Sequence, residues 1–272
     1  MLKSTTMNGL VLVLLAACGP GDLRDASTPP GGEGEGEGEW RGGEGEGGAD
    51  GADAVYAHSD STLYRLDPQT LGVTQVAPFE WPDPQLPDVM TDLAINEDGL
   101  LVGISFTAVY TVDAESARCT KLADLDREFN GLSFVQDGSD ERLLATAIDG
   151  SVYQLDPQTG MSTSIGSFGN DLGSSGDLVS VEGFGTVATA KSMDSWNDLL
   201  VRIDPQTGAA TPIGDTGVVD IWGLGFWANR VYGFTGWNEL VVIDPETGAA
   251  TVQETGEVPW YGAGVTTAAP LI

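Results

Sequence analysis

The stretch LVRIDPQTG (Leu200–Gly208) runs an apolar, β-branched segment into a tight turn, and four other parts of the chain repeat it. These are LYRLDPQT (Leu63–Thr70), VYTVDAES (Val109–Ser116), VYQLDPQTG (Val152–Gly160) and LVVIDPETG (Leu240–Gly248). In each copy the aspartate caps the strand end. Proline presets φ in four copies, and glycine supplies a positive φ in three. The aspartates stand at Asp67, Asp113, Asp156, Asp204 and Asp244, at intervals of 46, 43, 48 and 40 residues. That period suits propeller blades and is too long for leucine-rich repeats.

Working outward from each turn, the repeat holds four strand-like pieces. Aligning AVYAH, LLVGI, RLLAT, GTVAT and RVYGF puts Ala57, Gly103, Ala145, Ala188 and Gly233 in one column. Five small residues in register imply strands crowded face to face between radial sheets. The innermost strands read TDLAI, NGLSF, GDLVS, WGLGF and YGAGV. The first repeat lacks its inner strand, and YGAGV near the C-terminus lacks partners. Pairing the two closes a ring and removes exposed edges. The expectation is an all-β, five-bladed β-propeller over residues 54–272. Its repeats resemble those of bacterial YVTN/quinoprotein-like propellers, a likeness that implies architecture and leaves the chemistry open.

Before the repeats lies an address. Lys3 precedes the apolar run Gly9–Ala17, which is too short to span a bilayer but suits a signal-peptide core. It ends in Leu15-Ala16-Ala17-Cys18, which resembles a bacterial lipoprotein box. That resemblance implies a signal peptide over 1–17, removal of it, and lipidation of Cys18 with acyl chains such as palmitate. The membrane anchor would then sit in the cell envelope. Gly19, where a retention signal often has Asp, leans toward the outer membrane. Residues 18–53 carry GEGEGEGE (Gly32–Glu39) and GEGEG (Gly43–Gly47), which offer nothing to bury and predict a disordered tether. Lipidation of Cys18 leaves Cys119 single, as a small packed hydrophobe.

Composition removes several functions. With 41 acidic against 11 basic residues the formal net charge is −30, which argues against a nucleic acid partner. One histidine and two cysteines leave no zinc set and no disulfide framework. Asp124, Asp126 and Glu128 alternate like calcium ligands, yet the stretch lacks the loop glycine and closing glutamate of an EF-hand. Calcium there is the one cofactor the sequence suggests.

The starts of the inner strands should ring one mouth of the central channel. They contribute Asp92, Asn130, Asp177, Trp222 and Tyr261, with Trp260 behind and Trp196 and Trp237 on adjoining loops. Aromatic faces beside carboxylates and amides suit a glycan, or a protein partner through cation–π contacts. The reading is a non-catalytic, membrane-anchored binding module. One alternative is a glycoside hydrolase using Asp92 and Asp177; another is a scaffold subunit of an envelope complex.

Overall fold

The computed structural model describes residues 54–272, and among them every regular element is a strand. The expected lipid site Cys18, the signal peptide and the Gly/Glu stretch lie outside the described residues. Twenty strands form five four-stranded antiparallel sheets.

Blade 1 contains β1 (Val55–His58), β2 (Thr62–Leu66) and β3 (Val73–Pro78). Blade 2 contains β4 (Asp92–Ile95), β5 (Leu101–Ile104), β6 (Ala108–Val112) and β7 (Cys119–Asp124). Blade 3 runs through β8 (Gly131–Asp137), β9 (Asp140–Thr146), β10 (Ser151–Leu155) and β11 (Ser162–Ser167). Blade 4 follows with β12 (Gly173–Val181), β13 (Gly185–Ser192), β14 (Ser195–Ile203) and β15 (Ala210–Asp215). Blade 5 contains β16 (Ile221–Trp227), β17 (Arg230–Thr235), β18 (Glu239–Ile243) and β19 (Ala250–Thr255). The last strand, β20 (Gly262–Gly264), pairs antiparallel with β1, matching Ala57 to Ala263 and His58 to Gly262. The ring is therefore closed by the strand that was expected to close it.

The small-residue column occupies one register throughout. Gly103, Ala145, Ala188 and Gly233 face Leu93, Leu132, Leu178 and Leu224 on the inner strands, as Ala57 faces Ala263. All five are buried. The spared volume admits side chains of neighbouring strands: a β-carbon on Gly103 would stand 2.6 Å from Met90 Sδ. Cys119 is free and buried among blade 1 and blade 2 side chains, and burial pushes its thiol up to about 12. It is a packed hydrophobe.

The aspartate turns work as their residues require. Asp204 Oδ1 accepts the Gln206 N–H at 2.8 Å, and the Gly208 N–H returns to the Asp204 carbonyl at 2.8 Å. Position five of the turn is left-handed in every copy: Gly160, Gly208 and Gly248 adopt it freely, while Leu71 (φ 61°) and Ala117 (φ 56°) adopt it at some strain.

These turns also clip blades 2 to 5 each to the blade before it. The first residue of an outer strand reaches back to the residue just past the preceding outer strand. Cys119 N–H donates to Glu80 O, Ala210 N–H to Phe168 O and Ala250 N–H to Thr216 O, at 2.9–3.0 Å. Between blades 2 and 3, Ser162 N–H donates instead to Asp126 Oδ2 at 3.3 Å.

Candidate functional site

Because each inner strand starts at the mouth and pairs antiparallel with the second, the hairpins between second and third strands open onto that same face. At its centre is a pocket of about 280 Å³. Five of its lining residues come one from each inner-strand start: Thr91, Asn130, Gly176, Trp222 and Tyr261. Phe106 and Ile148, on hairpin tips of blades 2 and 3, and Ser175 complete the wall. The lining contains no charged side chain. Trp222 and Tyr261 meet edge to face with centroids 5.8 Å apart, and the Trp222 ring lies over Gly236, where a β-carbon would approach to 2.7 Å.

One residue further along each strand, the side chains turn inward. That inward column reads Asp92, Gly131, Asp177, Gly223 and Gly262. Asp92 and Asp177 were expected at the mouth, but they lie below it, at 0% and 1% exposure. Asp92 accepts the N–H of Leu93 at 2.8 Å and that of Leu132, on the next blade, at 2.6 Å. Asp177 does the same with Leu178 and Leu224, both at 2.6 Å. The two carboxyl groups are close enough to influence each other's titration. Burial, and for Asp92 the neighbouring Asp177 charge, hold the pair well above the usual carboxylate range, so it keeps a proton to higher pH than a free carboxylate would.

The glycines follow from this arrangement. A β-carbon on Gly262 would collide with His58 Nε2 and Asp92 Oδ1, and one on Gly223 would meet Gly262 C at 2.6 Å. The axis has room for two side chains, and the aspartates fill it. With their oxygens committed to backbone N–H groups, they bridge blade 2 to blade 3 and blade 4 to blade 5. They do not form an exposed acid/base pair.

His58 is buried beside them. Its Nδ1 lies 2.8 Å from the Ser59 carbonyl and so carries the hydrogen, while Nε2 has no partner. Burial lowers its pKa to about 4, so the ring is neutral near pH 7.

The remaining aromatic candidates disperse. Trp222 and Tyr261 are at the mouth; Trp260 is not. Its ring is 5% exposed and packs edge to face on Tyr64 (5.1 Å) and Phe234 (5.4 Å), between blades 5 and 1. Trp196 is 92% exposed on the blade 4 hairpin. Trp237 stands on the blade 5 hairpin and donates through Nε1 to Asp220 Oδ2 at 3.0 Å. Asp220 in turn accepts from Lys191 Nζ at 2.9 Å, and Lys191 also contacts the buried Asp198 at 2.8 Å. Asp198 Oδ2 takes the Ser175 hydroxyl at 2.8 Å and the Ile221 N–H at 2.7 Å. This chain of contacts commits the lysine beside the mouth to two carboxylates and holds the hairpin of blade 5 in place.

The expected calcium residues Asp124, Asp126 and Glu128 do not converge. Asp124 pairs with Lys121 at 2.6 Å, and Asp126 accepts the Ser162 hydroxyl at 3.0 Å and lies 3.6 Å from Arg127. Among the described residues no group of three His, Cys, Asp or Glu side chains could hold a metal ion.

The site thus belongs to a five-bladed β-propeller whose axial mouth is apolar and whose axis is sealed. No protein-family model matches the chain, and no curated protein matches it. Among solved structures, the computationally designed Ika8 protein matches with 17% identity over 78% of this chain and 62% of its own length, at a TM-score of 0.36. The chain spans less than two thirds of that designed protein.

Proposed function

We propose that this chain is a non-catalytic binding module of the bacterial cell envelope, tethered through a lipid on Cys18 and engaging a protein partner with the axial mouth. The observation that carries the reading is the mouth itself: an uncharged pocket walled by Phe106, Ile148, Trp222 and Tyr261, flanked by hairpin tips that expose Trp196 and Trp237. Large apolar groups presented together on one face are the usual sign of an interaction surface. Sealed carboxylates beneath them supply rigidity, and they leave the hydrolase reading without an accessible acid and base.

A glycan remains the second reading, because Trp222 and Tyr261 offer ring faces and Asn130 an amide in the same pocket. One comparison tests both. The full chain and a Trp222→Ala, Tyr261→Ala double variant are passed over a glycan array and used to retrieve partners from envelope extract. Binding lost about tenfold or more in a variant that unfolds at the wild-type temperature supports the mouth. Equal binding by both proteins refutes it.

A further inference from the structure

The seam between blade 5 and blade 1 is built differently from the other four. In blades 1 to 4 the outer-strand residue paired with the start of the third strand is small: Ala77, Ala123, Gly166 and Gly214, opposite Leu63, Val109, Val152 and Leu200. At Gly166 and Gly214 the turn of the following blade presses against the backbone, with Thr207 O and Thr247 O occupying the space a side chain would need. Two residues on, Phe79, Leu125, Phe168 and Thr216 plug the gap between blades, three of them buried and Leu125 half-buried.

Blade 5 reverses both columns. The small position holds Glu254, opposite Leu240, and the plug position holds Gly256. No interblade clip forms here either: among the described residues, no backbone hydrogen bond joins the end of β19 to the start of β3.

A cavity of about 320 Å³ opens where the plug and clip are missing. Tyr64, Val73, Leu240 and Trp260 form its apolar wall, and Glu254 and Glu257 stand at its rim. Among the described residues neither glutamate enters an ion pair. A β-carbon on Gly256 would have only Asn238 O near it, at 3.9 Å, so the space reaches the backbone.

The geometry points to a ligand site at this seam for a small organic cation: an amine carried on an aromatic or branched aliphatic body. The body takes the place that Phe79, Leu125 or Phe168 fills elsewhere. The ammonium faces the two carboxylates and the rings of Tyr64 and Trp260. This site is separate from the axial mouth and stands whether or not the mouth binds a partner.

The test uses the full chain and two probes of matched shape, 2-phenylethylammonium and 3-phenylpropanoate, followed by NMR at the Trp260 indole and by thermal shift. The ammonium is expected to perturb Trp260 and raise Tm with a Kd of about 10 mM or tighter. The carboxylate should bind about tenfold more weakly. Gly256→Leu restores the missing plug from within the chain, so it should raise Tm and abolish binding. Glu254→Gln with Glu257→Gln should weaken the ammonium about fivefold and leave Tm of the free protein near that of wild type. Equal binding of both probes, undiminished binding to a folded Gly256→Leu protein, or no response to either probe overturns the proposal.

Discussion

At the scale of single residues, Asp92 and Asp177 show how position along a strand decides role. Both stand next to mouth residues in sequence, yet the alternation of a strand sends Thr91 and Gly176 to the pocket and the aspartates to the axis. The signal was present: the inward column pairs two aspartates with three glycines, which is the composition of a filled centre. The pair also has a pH signature. Its folded pKa lies above the unfolded value of about 4. Its contribution is therefore complete below that value and declines as pH rises toward the folded one. Asp92→Asn removes one acceptor for a buried N–H and should cost about 1–3 kcal/mol at pH 5. The deficit should shrink as pH rises from 5 to 8, because a pair whose folded pKa is raised loses stability over that range and the variant has less to lose. Urea unfolding of both proteins at the two pH values reads this directly, and a deficit that stays constant contradicts the raised folded pKa of the pair.

At the scale of elements, strands and turns were the most legible part of the chain. The DPQT-type turns, the five inner strands and the small column all follow from short-range chemistry: caps, positive φ and excluded volume. Less legible was how a turn meets the neighbouring blade, because that contact joins residues of different repeats and leaves only a preference for small side chains on the outer strand. Gly214 carries that contact in blade 4, facing the Thr247 carbonyl. Gly214→Ala should therefore destabilise by about 1–3 kcal/mol through the forced clash. Gly217→Ala, in the connection that follows, is no control because its φ is positive (73°). The proper control is Thr211→Ala, an exposed site on the same strand, which should stay within about 0.5 kcal/mol. Chemical denaturation of the two variants distinguishes a specific clip from a general sensitivity of the outer strand.

At the scale of the whole molecule, the ring follows from mismatched counts: a first repeat short of one strand and a last strand short of a sheet. The mouth followed only in part. Asn130, Trp222 and Tyr261 come together as expected, whereas Trp260 is drawn between blades 5 and 1 because Tyr64 and Phe234 offer it a buried aromatic niche. Trp196 and Trp237 end on hairpin tips. The anchor is a claim about the chain as a whole: Cys18→Ser should move it from the membrane fraction to the soluble fraction and abolish incorporation of labelled palmitate. Retention on membranes without label would place the attachment elsewhere.

The proposed role rests above all on the apolar mouth being the face that meets a partner. A photoreactive phenylalanine analogue at Ile148, on the mouth face, is compared with the same analogue at Met161, on an aspartate turn, each in the full membrane-bound chain. Position 148 should give a discrete adduct that disappears with Trp222→Ala, and position 161 should give none. Adducts from position 161 alone, or 148 adducts indifferent to Trp222, would contradict that role.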